Sequence, residues 1–332
     1  MTAEQVDIGL AFAVFPQRQH ATHGDAQRLC FGAWPQATRR STAIWPVPAS
    51  VGEAISLLGF ATWLVLILLY AAKWFIAPKE VTAELEHPIQ CCFIGLIGAA
   101  TMLAGLAILP YSRIATEVLV LAGVAITLFF LLWRTGLLWR GGRDPATNTP
   151  VLYLPTVAGS FVTAIAAGTL GYADWGQLAF GAGFFSWLAI ESVLLHRLLM
   201  APELAAPLRP TLGIQLAPPA VGSVAYLSVT TGTPDMLAHA MFGYAILQVL
   251  IIGRQLPWIM QQPFAGSYWA FTFGLTALST AALRMTARGD TGAISELAPV
   301  IFVLVNIALA FIAVGTLWLL VRGKLLPAPV RV

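Results

Sequence analysis

Residues 213–231 read GIQLAPPAVGSVAYLSVTT, and after Gly232-Thr-Pro-Asp235 residues 236–257 read MLAHAMFGYAILQVLIIGRQLP. An α-helix needs about 20 mostly apolar residues to cross a hydrocarbon layer roughly 30 Å thick, because it rises about 1.5 Å per residue. Each stretch meets that length, and a connection this short joins antiparallel neighbours, so the pair reads as a membrane hairpin. Its two arms differ in kind. Gly, Ala, Ser and Thr make up 9 of the 19 residues in the first and 5 of the 22 in the second.

The same reading extends along the chain. Of 332 residues, 58% are hydrophobic and 10% charged, against roughly a quarter charged in soluble domains. Nine apolar runs have cores near 54–76, 91–110, 114–133, 152–171, 177–199, 213–231, 236–257, 267–286 and 297–320. Lipid supplies no hydrogen bonds to a bare backbone, so these runs must be helices. The fold class is therefore an all-α membrane protein built of helical hairpins.

The two kinds of span alternate. Small residues occupy 39 of 79 positions in the spans at 91–110, 152–171, 213–231 and 267–286, against 31 of 112 in the other five. Small residues let helix backbones approach closely or leave a lumen, whereas Leu, Ile and Trp suit a lipid-facing surface. Small-residue helices thus form an inner ring within an outer ring of bulky ones. Pro155, Pro218 and Pro219 lie in inner spans, where each removes a hydrogen bond and favours a kink.

Cytoplasmic loops hold the excess of Lys and Arg. One set of loop positions carries Lys73, Lys79, Arg134, Arg140, Arg143, Arg197, Arg209, Arg254, Arg322, Lys324 and Arg331; the opposite set carries Arg113, Arg284 and Arg288. The first side, with the C-terminus and a tail at 326–332, is expected in the cytoplasm. Residues 1–44 read differently, with Ile8 to Phe15 as their longest apolar stretch and four arginines besides. They are read as an atypical segment, disordered or out of frame, where a tenth span is missing. If out of frame, the coding DNA encodes an apolar span in another frame just upstream of Ala43. Residues 45–325 form the transmembrane domain.

Few residues suggest chemistry. No nucleophile–base set, paired carboxylates, Walker loop or metal-ligand spacing survives placement on the spans, so neither an enzyme nor a cofactor or metal is expected. The net charge of +3 is too small for a nucleic-acid partner. Cys91 and Cys92 lie inside an apolar run and read as packing residues. Ionisable residues within spans are functional candidates by default. Glu191 could face a proton path or pair with Arg197, and the pairing is preferred. Glu117 and Arg113 form a local pair one turn apart. Arg284, the permanent cation within an inner span, attracts anions to a mouth or snorkels to the interface. This scarcity of fixed charge favours a conduit lined by hydroxyls and small residues over a carrier that grips its substrate.

Several stretches, in order, resemble the tellurite-resistance and dicarboxylate transporter (TehA) family, related to the slow-type anion channels of plants. They include Gly136-Leu-Leu-Trp-Arg-Gly141, Tyr153-Leu-Pro-Thr-Val157, Gly183-Phe-Phe-Ser-Trp-Leu188, Leu212-Gly-Ile-Gln-Leu-Ala-Pro218, Phe242-Gly-Tyr244 and Ser267-Tyr-Trp-Ala-Phe-Thr-Phe-Gly274. The resemblance implies a homotrimer in a bacterial inner membrane, each protomer holding ten helices in two concentric rings around its own pore. It also implies an aromatic gate, which Ala270-Phe-Thr-Phe-Gly274 places at Phe273. Pro155, Thr156, Pro218, Thr272 and Gly274 are the candidates for lining or kinking that pore. The function implied is a passive channel or facilitator for small anions, linked to tellurite resistance; the alternative is a proton-coupled C4-dicarboxylate carrier of malate type using Glu191.

Overall fold

A computed structural model describes residues 49–323 apart from 145 and 146. The expectations for residues 1–44 and for the tail at 326–332 lie outside the described residues.

Nine helical rods follow one another, with no strand among the described residues. They are α1 (Ala49–Ile76), α2 (Gln90–Ala107, broken at Gly95), α3 (Arg113–Thr135), α4 (Pro150–Leu170), α5 (Ala173–Met200), α6 (Ala206–Val229), α7 (Met236–Ile259), α8 (Gly266–Phe271 continuing as Thr272–Ala287) and α9 (Ala293–Val321). A short helix, Pro78–Glu86, lies between α1 and α2. All except α8 are long and apolar enough to cross a membrane. The polar load of α8 is Arg284 together with six Ser and Thr residues.

Short turns join the hairpins and begin with local caps. Ser112 accepts the Ala115 N–H at 3.2 Å to start α3, and Asp235 accepts the Ala238 N–H at 3.0 Å to start α7. Gly171, at φ 93°, ends α4 in the left-handed conformation that glycine adopts without strain.

The division by side-chain size is a division by depth. In α2, α4 and α6 the central window is 72%, 72% and 89% buried, whereas in α1, α3, α5, α7 and α9 it is 17–33% buried. The inner rods pack in sequence, α2 on α4, α4 on α6 and α6 on α8, and no substantial contact joins α8 back to α2 among the described residues. The four small-residue rods therefore make an open arc, with bulky rods outside it.

All four inner rods are irregular where they begin and regular afterwards. A break at Gly95 precedes Leu96–Ala107, and a π-turn over Leu154–Ala158 precedes Gly159–Leu170. A 3-10 stretch over Ala206–Leu216 precedes Ala217–Val229, and another over Gly266–Phe271 precedes Thr272–Ala287. The prolines sit at these junctions. Pro155 is the second residue of the π-turn, and Pro218 and Pro219 lie in the first turn of a new α-segment, where a missing N–H costs least. They mark a change of helix type within each rod.

Candidate functional site

In α4 and α8 the regular half covers most of its surface against neighbours and leaves a partly accessible stripe. On α8 the stripe runs through Phe273, Thr276, Ala277, Thr280 and Arg284. Phe273 and Arg284 are eleven residues apart, which at about 100° per residue returns to within about 20° of the same face, some 16 Å farther along the axis. On α4 the corresponding stripe is Thr156, Thr163 and Ala167, with Ser160 between them 7% exposed. An accessible face on a rod otherwise packed inside the molecule, made of small and hydroxyl side chains, is a candidate conduit wall.

Two hydroxyls of these stripes are bonded back to their own helices. Thr163 donates to the Gly159 carbonyl at 2.8 Å and Thr276 to the Thr272 carbonyl at 2.8 Å. With its proton committed to the preceding turn, a hydroxyl offers a passing anion no donor unless it rotates, at a cost of roughly 1 kcal/mol. Such a wall is polar without being adhesive.

Phe273 is the second residue of the α-helical part of α8 and is half-buried against the core. Its flanks are wedged by α6. A methyl group at Gly274 would come within 2.8 Å of Leu216 Cγ and 3.0 Å of the Ala217 N, and one at Gly213 within 2.7 Å of the Phe271 ring. Gly213 and Gly274 are thus the small residues that let α6 and α8 touch on either side of Phe273. Thr272 is fully buried, its hydroxyl given to the Trp269 carbonyl at 2.8 Å. Thr272, Gly274 and Pro218 are buried junction residues packed between rods, whereas Thr156 is partly accessible and lies 3.3 Å from the Thr135 hydroxyl.

At the far end of the α8 stripe, Arg284 donates to the Ser228 hydroxyl of α6 at 2.7 Å. It is half-buried against a neighbouring inner rod. Arg288, one turn on, clamps the end of α6 through the Leu227 carbonyl, the Thr230 carbonyl at 2.5 Å and the Thr230 hydroxyl at 3.3 Å.

Glu191 lies elsewhere and in other company. Its carboxylate is 7% exposed and accepts four hydrogen bonds: from the Tyr153 hydroxyl, from Trp187 Nε1 at 2.9 Å, from Gln215 Nε2 at 2.9 Å and from the Tyr244 hydroxyl at 2.7 Å. The preferred pairing with Arg197 is not formed. Arg197 is itself buried and donates to the Pro202 carbonyl at 3.1 Å. The physical reason is that Glu191 faces α4, α6 and α7, where neutral donors at its depth satisfy it, whereas Arg197 lies at the end of α5 and closes the following turn. Those donors escaped the sequence reading as partners, although Tyr153, Trp187, Gln215 and Tyr244 each stand in one of the stretches quoted above. The usable signal was a lone carboxylate in an apolar run, which must find donors at its own depth.

Other local readings hold. Arg113 meets Glu117 at 2.8 Å, and Cys91 and Cys92 are buried free thiols. Near the start of α7, His239 Nε2 meets Asp290 at 2.7 Å.

The arc of small-residue rods, with partly accessible hydroxyls on α4 and α8, is a candidate conduit, and sequence comparison bears on it. The family described as SLAC1, voltage-dependent anion channel, matches residues 29–317. The chain belongs to this family. The match begins inside the segment 1–44. Among relatives, a protein of Haemophilus influenzae named tellurite resistance protein TehA homolog is 35% identical over 282 residues, 85% of each chain. An uncharacterized transporter of Methanocaldococcus jannaschii, MJ0762, is 22% identical over 69% of this chain and 74% of its own. The S-type anion channel SLAH3 of Arabidopsis thaliana is 24% identical over 77% of this chain and 42% of its own. The match spans the first eight described rods and α9 as far as residue 317.

Proposed function

We propose that this SLAC1-family protein is a passive, gated conduit for small anions, closed at Phe273 and lined beyond it by the small-residue stripes of the inner rods. The supporting observation is the alignment of Phe273 with Arg284 on the accessible face of α8. Arg284 raises the local anion concentration at the mouth, and the back-bonded hydroxyls let ions leave as readily as they enter. The protein works as a homotrimer in a bacterial inner membrane with its C-terminus in the cytoplasm, each protomer holding its own pore. A contribution to tellurite resistance, the property in the name of the Haemophilus relative, follows from anion passage.

The carrier reading with Glu191 as proton site is less favoured. Glu191 is buried among four donors on α4, α5, α6 and α7, and it is not one of the residues of the α4 and α8 stripes. Flux in liposomes separates the two. Chloride and malate movement should follow the membrane potential, ignore a pH gradient and rise on Phe273→Ala. Saturable malate uptake that tracks the pH gradient and vanishes in Glu191→Gln would replace the channel by a carrier.

A further inference from the structure

The Glu191 cluster joins parts of the molecule that differ in role. Glu191 and Trp187 belong to α5 and Tyr244 to α7, both outer rods; Tyr153 and Gln215 belong to the irregular first halves of α4 and α6, both inner rods. Gln215 is the penultimate residue of the 3-10 stretch Ala206–Leu216. Both protons of its amide are used, one on Glu191 at 2.9 Å and one on the Tyr153 hydroxyl at 3.0 Å, and that hydroxyl in turn donates to Glu191. The triangle is closed, so it admits one orientation of the Gln215 amide. The buried Gln215 Oε1 has no hydrogen-bond partner, so the arrangement satisfies the carboxylate at the expense of the amide.

The neighbours of Gln215 along the chain reach the gate. Gly213 lies against the Phe271 ring, and Leu216 and Ala217 lie against Gly274, so the short segment tied to Glu191 touches α8 on both sides of Phe273. Packed contacts without slack transmit a displacement at one end to the other.

We propose that Glu191 is a positioning residue for the gate: through Gln215 its carboxylate fixes the 213–217 segment of α6, and that segment holds Phe271 to Gly274 in the arrangement that closes the pore. The inference rests on the reading of Phe273 as the gate. Glu191 touches no permeating ion in this account. Its charge matters because a buried carboxylate enforces its donors' geometry more strongly than a neutral group does.

The test is a double-mutant cycle read as macroscopic anion conductance of the purified full-length protein in planar bilayers, with chloride as the ion. Glu191→Gln in the gate-intact protein should raise conductance on the order of tenfold, the factor expected from losing a charge-assisted hydrogen bond that favours one of two states. In the Phe273→Ala background, where no ring is left to position, the same change should move conductance by less than about twofold. Gln215→Met cuts the tie while leaving three donors on the carboxylate, and should reproduce both results if Glu191→Gln does not fold. Equal factors in the two backgrounds, or no rise in the gate-intact protein, overturn the inference and leave the gate standing. A silent Phe273→Ala removes the gate itself, and the inference with it.

Discussion

The fold treats two charges of its spans, the buried Glu191 and the half-buried Arg284, in opposite ways. Glu191 sits where the inner rods are irregular, enclosed by four neutral donors from four rods and turned away from the accessible stripes. Arg284 sits where the inner rods are regular, on the stripe that carries Phe273, held to α6 by a hydroxyl. One charge is enclosed between rods and the other lies on the partly accessible stripe of α8. On the proposed path an anion moving along α8 would meet a cation and no carboxylate on that stripe, which would set selectivity without a tight binding site.

Reversing the displayed charge should have the largest effect. Arg284→Glu in the Phe273→Ala background should lower chloride conductance by at least about tenfold, since a like charge near the path repels the ion over a few Å of low dielectric, while Arg284→Lys should largely preserve it. Equal currents in all three proteins would show that the stripe does not line the path.

Weakening the enclosed charge should instead appear in stability. Tyr153→Phe removes one donor from the carboxylate and should lower unfolding stability by roughly 1.5–3 kcal/mol, measured as thermal unfolding in detergent. An unchanged transition would mean that Glu191 does not need its full set.

The smallest effect belongs to a charge outside the spans. Asp235 accepts from the Tyr226 hydroxyl and the Ala238 N–H, and those bonds hold its pKa below the ordinary value. A depressed folded pKa contributes stability that is complete above the unfolded pKa of about 4 and is lost as pH falls through the lower folded value. Thermal stability of the native protein should therefore drop more steeply below pH of about 4 than that of Asp235→Asn, and parallel curves would contradict the capping role.

Much of this was legible in the sequence. Runs of about 20 apolar residues leave a chain no alternative to spanning helices, so eight of the nine described rods were readable on that ground, α8 with its polar load falling short of it, and the small-residue count separated inner from outer because the same residues that permit close packing become buried. The Arg113 and Glu117 pair was readable because a helix brings positions i and i+4 together by itself. Helix type at the rod starts was not. A 3-10 or π-turn at Leu154 or Ala206 depends on which neighbour supplies the contact, and apolar periodicity does not encode that. Glu191 failed for the same reason: its nearest cation in sequence was Arg197, whereas three of its four partners come from α4, α6 and α7, whose packing around α5 is a tertiary fact.

The central claim is that Phe273 stands in a continuous anion path between the inner rods. The most direct test is the reversal potential of Phe273→Ala in planar bilayers under a chloride gradient. A current much larger than that of the native protein, reversing near the chloride equilibrium potential, is the predicted result. A bilayer as silent as one holding native protein, or a current reversing at the cation potential, would contradict it.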